Sequence, residues 1–358
     1  MATKNTNLAN KSNLSDKSGL AGLSLADLVE FCRVVDQPRY RAEQLYYWLY
    51  TKQVADFDAM TNIPKSFRAW LAENAAINSL TQHRLTVSDD GSTTKLLFQT
   101  HDGNFIESVL MHEGGRVTVC LSTQVGCKLD CQFCATAQMG FHRNLSVGEI
   151  IDQFLLLQRR ERRRITNVVF MGMGEPFLNY QRVVDAAHLL NGQDGINLGA
   201  RKITISTVGI IPAIRRFTAE RQRFKLAISL NASDQPTRQR IMPIAREFPL
   251  PELLAAVSDY YQATRNRPTF EYVLLAGIND DADSARRLVD KIDGLPCKVN
   301  LIPYNEINGP YRRPTDDTIE AFTELLYNAP FTVTVRWSKG TGIKAGCGQL
   351  ATENQPRD

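Results

Sequence analysis

The chain has 358 residues, of which 43% are hydrophobic and 22% charged. Those proportions exclude a wholly disordered, collagen-like or low-complexity protein, and the length allows about two domains of ~150 residues each. The net charge of +4 is too mild to announce nucleic acid by itself. No stretch approaches the ~18 consecutive apolar residues of a transmembrane helix, and the first residues lead into no apolar signal-peptide core. A cytoplasmic, reducing setting without a membrane is therefore expected. Seven cysteines, an odd number, argue there against a disulfide framework and for metal or redox chemistry.

Residues 1–20 are rich in Asn, Lys and Ser, lack apolar periodicity and read as a disordered tail. A helical unit over 21–80 follows. Ser24 and Asp27 stand in capping-box spacing before Leu28, Val29 and Phe31. Further helices are predicted from near Pro38, carrying Leu45, Trp48 and Leu49, and from near Pro64, carrying Phe67, Trp70 and Leu71. These aromatics read as core. Over 81–115, three alternating runs (His83–Ser88, Thr94–Thr100, Phe105–Met111) separated by Asp-Gly turns read as a β-meander.

From Arg116 strand-like and helical runs alternate through Arg336. The strands are near-continuously apolar, which predicts a parallel sheet with helices outside it. Six βα crossovers make most of a barrel, and the chemistry of such folds sits at the C-terminal ends of the strands. The predicted fold is α/β: a partial (β/α)6 barrel over 116–346, with the small helical domain and the meander before it and a tail over 347–358.

After the first strand of that series come Cys127, Cys131 and Cys134, three thiols within eight residues. Buried structural cysteines rarely cluster so. A zinc site would need a fourth ligand, which His142 could supply. An iron–sulfur cluster held by three cysteines leaves one iron open to a ligand. The spacing Cys-x3-Cys-x2-Cys, with Phe133 before the last cysteine, resembles the radical S-adenosylmethionine (SAM) enzymes. Further segments resemble the RlmN/Cfr family of RNA adenine methylases within them: Cys120–Cys127, Phe170–Pro176, Ser206–Pro212, Asn300–Asn305 and Cys347–Leu350. The resemblance runs from about residue 24 to 350 and is nearer to RlmN than to Cfr around Ala135–Leu145.

The resemblance implies a radical SAM fold, a [4Fe-4S] cluster on Cys127, Cys131 and Cys134, and SAM as cosubstrate. It implies methylation of C2 of adenosine 2503 in 23S rRNA and of adenosine 37 in tRNA, with Cfr-like C8 methylation as the alternative. Adenine C2 is not a nucleophile, so a radical route is needed. On the family pattern Cys347 is methylated first and its S-methyl carbon is carried to the base. Cys120 then resolves the protein–RNA adduct through a transient disulfide, and Glu107 accepts the proton of the attacked carbon. Gly174, Glu175, Ser206, Ser229, Leu230, Asn231 and Asn305 align with SAM contacts; at 231 this chain has Asn where the family has His.

Read without the family, Cys120 is equally a buried strand hydrophobe, and Glu107 the solvated face of an edge strand. The basic run Arg159–Arg164 reads as a helix C-terminus complementing its dipole or as an RNA contact. Arg215, Arg216, Arg221, Arg223, Arg312, Arg313 and the segment His142–Asn144 are further RNA candidates, and Cys32 and Cys297 read as buried hydrophobes. The expected partners are 23S rRNA, tRNA and a flavodoxin-like electron donor, with the chain acting as a monomer. A different class of reading is a non-catalytic RNA-binding protein with a structural metal.

Overall fold

The computed structural model describes residues 18–352. Most of the predicted tail therefore lies outside the described residues. Its last part does not continue as tail: β1 (Ser18–Gly19) pairs in parallel with β2 (Ala75–Ala76), and Leu20 is buried. The reason is packing, because Leu20 and Ala21 join the apolar core that the following helices build.

The helical unit contains α1 (Leu25–Val34), α2 (Tyr40–Tyr46) and α3 (Lys65–Asn74). The Ser24–Asp27 capping box is formed in both directions, a feature worth ~1 kcal/mol. Tyr47–Thr51 continues α2 as a π-helical turn, which periodicity does not reveal. Leu28, Cys32, Leu45, Leu49, Tyr50 and Leu71 are fully buried. Trp48 and Trp70 are partly buried, and Trp70 stacks on Phe67.

β3 (Thr81–Val87), β4 (Thr93–Gln99) and β5 (Phe105–Glu113) form the meander. The first barrel strand is β6 (Arg116–Cys120); the hairpin strands β7 (Gln124–Gly126) and β8 (Phe141–Asn144) and the helix α4 (Val147–Arg160) follow. Next come β9 (Asn167–Phe170), α5 (Tyr180–Asn191), β10 (Ile203–Thr207), α6 (Ile211–Ala219) and β11 (Lys225–Ser229). The series ends with α7 (Gln235–Ile241), α8 (Leu250–Thr264), β12 (Thr269–Leu274), α9 (Ala282–Ile292), β13 (Lys298–Pro303), α10 (Asp316–Leu325) and β14 (Thr332–Val335).

One ten-stranded sheet runs β14-β13-β12-β11-β10-β9-β6-β5-β4-β3. Within this sheet every neighbour from β6 to β14 is parallel: β6 pairs with β9, and from β9 on each strand pairs with the next in sequence, while the β7–β8 hairpin forms a separate sheet. The meander continues this sheet because β5 pairs antiparallel with β6. β5 is thus an inner strand, and Glu107 is buried at 1% exposure, which overturns the edge-strand reading of that residue.

One apolar core spans helical unit, meander and barrel. Two polar anchors tie the unit to α4. Asp152, fully buried, accepts from Asn78 Nδ2 and from the backbone of Ser79 and Leu80. Arg159 donates to the carbonyls of Gln53 and Val54 and to Asn78 Oδ1. Arg164 likewise donates to the carbonyls of Ile196 and Asn197. The basic run at the end of α4 thus has structural work, at the end of the sheet away from the strand C-termini. Cys32 and Cys297 are buried, as expected. Among the described residues no helix is long and apolar enough to cross a membrane.

Candidate active site

The three-cysteine loop is held open by a hairpin that sequence patterning missed. β7 pairs with β8, and the loop between them carries Cys127, Cys131 and Cys134. Gly126 is obligatory there: its φ is +71° and a Cβ would lie 1.9 Å from the Gly140 carbonyl oxygen. Cys127 N–H donates to that same oxygen at 2.7 Å, and Gln132 N–H donates to Ile241 O at 3.0 Å, seating the loop on the end of α7. His142 is exposed on β8 and does not line the cavity the cysteines share, which removes the proposed fourth zinc ligand.

That cavity, about 980 Å³ including its mouth, opens at the C-terminal ends of the parallel strands. Its wall includes the three cysteines, Gly174, Glu175, Ser206, Ser229, Asn231, Asn305 and Cys347. Six of the seven expected SAM contacts are thereby brought together. Leu230 is the exception: just past the end of β11 it packs into the apolar core at 1% exposure and does not line the cavity.

Several lining side chains already have protein partners. Glu175 accepts from Phe177 N–H (2.9 Å) and Val208 N–H (2.9 Å), and burial pushes its carboxyl up to about 7. Asn231 sits at φ +58°, a region Asn tolerates; its Oδ1 accepts from Val273 N–H and its Nδ2 faces Met242 Sδ. Asn305 Nδ2 donates to Ser338 Oγ (2.8 Å) and to the Cys347 carbonyl (3.0 Å).

The residues present fit a cluster and SAM. Burial pushes the Cys127 thiol up to about 12 and raises those of Cys131 and Cys134, so these thiols await a cation to become thiolates. Glu271 and Tyr304 line the same cavity, and the Glu271 Oε2 is buried without a hydrogen-bond partner. Buried polar atoms of this kind await a ligand. Sequence reading missed both. Glu271 carried the same signal as Glu107, an acid inside an apolar strand.

A second cavity, about 740 Å³, lies behind the first and is lined by Thr118, Cys120, Met171, Arg336, Trp337, Ala345 and Cys347. Cys347 and Met171 line both cavities; Cys120 lines only the second. Cys120 is 8% exposed and part of the core. Burial, reinforced by the neighbouring Cys347, pushes its thiol up to about 12, and the Arg336 guanidinium pulls the other way.

Glu107 lines neither cavity. It lies on the Cys120 face of the sheet, since Val109 faces Cys120 and Glu107 is two residues from Val109. Its Oε1 is 3.0 Å from Lys95 Nζ, and its Oε2 accepts from Ala351 N–H at 3.1 Å. Burial raises its pKa, and the Lys95 charge opposes that rise. The end of the chain is pinned by this bond together with Ala135 N–H to Gly348 O (2.7 Å) and Thr136 Oγ1 to Leu350 O (2.6 Å). Cys347 is thus suspended between the cysteine loop and the meander. Several RNA candidates are engaged in ion pairs: Arg143 bridges Asp102 and Glu149, Arg216 pairs with Glu220, Arg163 lies near Glu161 and Arg313 pairs with Asp316.

A singly wound parallel barrel with a three-cysteine loop after its first strand defines the radical SAM class, and residues 121–289 match the profile described as "Radical SAM superfamily". Members of that class use a [4Fe-4S] cluster and SAM. Residues 18–77 match the profile "Ribosomal RNA large subunit methyltransferase N-terminal domain". The chain is 42% identical over 340 residues to a probable dual-specificity RNA methyltransferase RlmN of Symbiobacterium thermophilum, covering 94% of this chain and 92% of the relative. It is 44% identical to the corresponding Synechococcus elongatus protein, covering 94% of each. A solved radical SAM methyltransferase from Sphaerobacter thermophilus superposes with a TM-score of 0.91 at 44% identity, covering 93% of this chain and 99% of the other. The chain belongs to the RlmN family of radical SAM RNA methyltransferases.

Proposed function

We propose that the protein methylates C2 of adenosine in 23S rRNA (adenosine 2503) and in tRNA (adenosine 37). The observation that carries this is the position of Cys347, which lines both the cavity of the cysteine loop and the cavity of Cys120. A sulfur that first accepts a methyl group and is later attacked by a second thiol needs access to both sides. A non-catalytic binding module needs neither access. The relatives' RlmN names favour C2 over the Cfr-like C8 position.

Cys127, Cys131 and Cys134 would hold the cluster, which when bound supplies the electron that cleaves SAM to a 5′-deoxyadenosyl radical. Gly174, Glu175, Ser206, Ser229, Asn231 and Asn305 would seat SAM, the two acids of the cavity, Glu175 and Glu271, complementing its positive charge. Cys347 accepts the methyl group, presents the activated carbon to the base and becomes covalently joined to it. Glu107, on freeing its carboxylate from Ala351, takes the proton of the attacked carbon; a pKa raised by burial suits a base at neutral pH. Cys120 then attacks the Cys347 sulfur and forms the disulfide that frees the RNA. In the division of labour we infer, residues 21–80 are accessory, 81–115 supply Glu107, 116–346 hold the cofactors and 347–358 carry the acceptor thiol. A flavodoxin-like donor, a monomeric state and a cytoplasmic setting complete the proposal.

Nucleoside mass spectrometry tests it. Reconstituted, anaerobically reduced protein is given SAM and rRNA and tRNA fragments. We expect 2-methyladenosine, absent with Cys347→Ala. Only 8-methyladenosine would overturn the C2 assignment, and intact RNA beside cleaved SAM would overturn the substrate.

A further inference from the structure

We propose that Trp337, backed by Arg313, is a stacking platform for an unstacked RNA base at the mouth of the thiol cavity. The inference rests on the RNA-methylating reading of the site and adds a recognition surface to it.

Trp337 lies just beyond β14, at the C-terminal end of the last parallel strand, where the site opens. It lines the same cavity as Cys120 and Cys347. At 53% exposure it contrasts with the two other tryptophans, which the helical unit puts to structural use: Trp48 donates to Asn62 Oδ1 and Trp70 packs on Phe31 and Phe67.

The surroundings state what that partner is. The Arg313 guanidinium lies over the indole, 5.6 Å from its centroid, and is itself oriented by Asp316 at 2.6 Å. Lys339, two residues on, also lines the cavity and is fixed by the His112 carbonyl at 2.8 Å. An indole with a guanidinium over its ring and a second cation, Lys339, on the same cavity wall, which Glu113 also lines, matches the way single-stranded nucleic acid is gripped: base on aromatic face, phosphate near positive charge. Of the arginine pairs named above, Arg312–Arg313 is the one beside this mouth, since Arg313 lies over Trp337, whereas Arg159 and Arg164 are committed to the helical unit and to the loop before β10. An adenine that must leave its stack to meet the Cys347 carbon gives up stacking energy, and a platform at the mouth returns it.

The test is binding of an rRNA hairpin carrying the target adenosine to the reconstituted full chain, with 2-aminopurine placed at the target or at either flanking position. Stacking quenches that probe. We expect Trp337→Ala to weaken hairpin binding about tenfold or more and to relieve the quenching, and Trp337→Phe to restore most of both. Quenching lost only with the target probe identifies the target base as the occupant; lost only with a flanking probe, its neighbour. Binding within twofold of wild type for Trp337→Ala, with an unchanged thermal midpoint, overturns the proposal. If the alanine variant does not fold, Trp337→Leu is used, and wild-type affinity there overturns it equally. A wild-type protein that methylates neither RNA strikes the RNA reading itself, a failure visible without any Trp337 variant.

Discussion

Cys120 and Cys347, at opposite ends of the catalytic region in sequence, share the wall of one cavity. Only Cys347 also faces the three-cysteine loop. Burial and the neighbouring Cys347 raise the Cys120 thiol, and the Arg336 guanidinium opposes that rise. On this arrangement Cys120→Ala should leave the first half of the reaction intact and block release. The expected result is a protein–RNA adduct that survives denaturing electrophoresis, absent with Cys347→Ala. Release of methylated RNA by Cys120→Ala at the wild-type rate would remove Cys120 from the mechanism.

The Lys95–Glu107 pair predicts a pH effect. Burial raises the Glu107 pKa, so the ionised base forms only as pH climbs through that raised range, and adduct resolution should rise with it. Removing the cation with Lys95→Met takes away the group that opposes the rise, moving the limb to higher pH. For stability, a carboxyl whose pKa is raised on folding favours the fold below its ordinary range and loses that contribution as pH rises through the raised value. Lys95→Met should therefore be most destabilised at alkaline pH, by ~3–5 kcal/mol for a broken buried pair. Glu107→Gln should slow resolution by about 10²-fold or more while leaving Cys347 methylation in place. Quenched-flow assays and intact-protein mass measurement separate the two steps.

Asp152 predicts a stability window of its own. Burial raises its carboxyl from the ordinary ~3.9 to about 7, against the pull of its three N–H donors. Since the folded value is the higher, the contribution of Asp152 to stability should be fully present below pH ~4 and be lost as pH rises through about 7. Asp152→Asn should flatten that slope. Urea denaturation of both proteins across this interval measures it, and parallel curves would contradict the assignment.

Gly174 admits no side chain. Its φ is +95°, and a Cβ would lie 2.4 Å from Gln124 Cβ and 2.8 Å from Gln124 N. Gln124 Oε1 in turn accepts from Glu175 N–H at 2.8 Å. Gly174→Ala should cost ~1–3 kcal/mol of stability through strain and displace Glu175 enough to weaken SAM binding about tenfold or more, measured by equilibrium dialysis of the cluster-loaded protein.

The alternation of apolar strands and helices, the capping box at Ser24 and the spacing of Cys127, Cys131 and Cys134 were all legible in the sequence, because each depends on neighbours a few residues away. The chain order also determined which ends of the strands would carry the chemistry. What the sequence left open was decided by contacts between distant segments. Glu107 reads as an edge residue until β5 is seen to pair with β6; Leu230 reads as a ligand contact until it is seen to pack into the apolar core. That Arg159 and Arg164 are spent on the carbonyls of Gln53, Val54 and Asn197 shows only once those segments are packed beside the end of α4. Glu271 carried a local signal, an acid inside an apolar strand, whereas Tyr304 carried none, because whether a phenol faces a cavity depends on the packed fold. The approach of Cys347 to both cavities is likewise a property of the closed fold, set by Asn305, Ala135, Thr136 and Glu107 gripping residues 347–351.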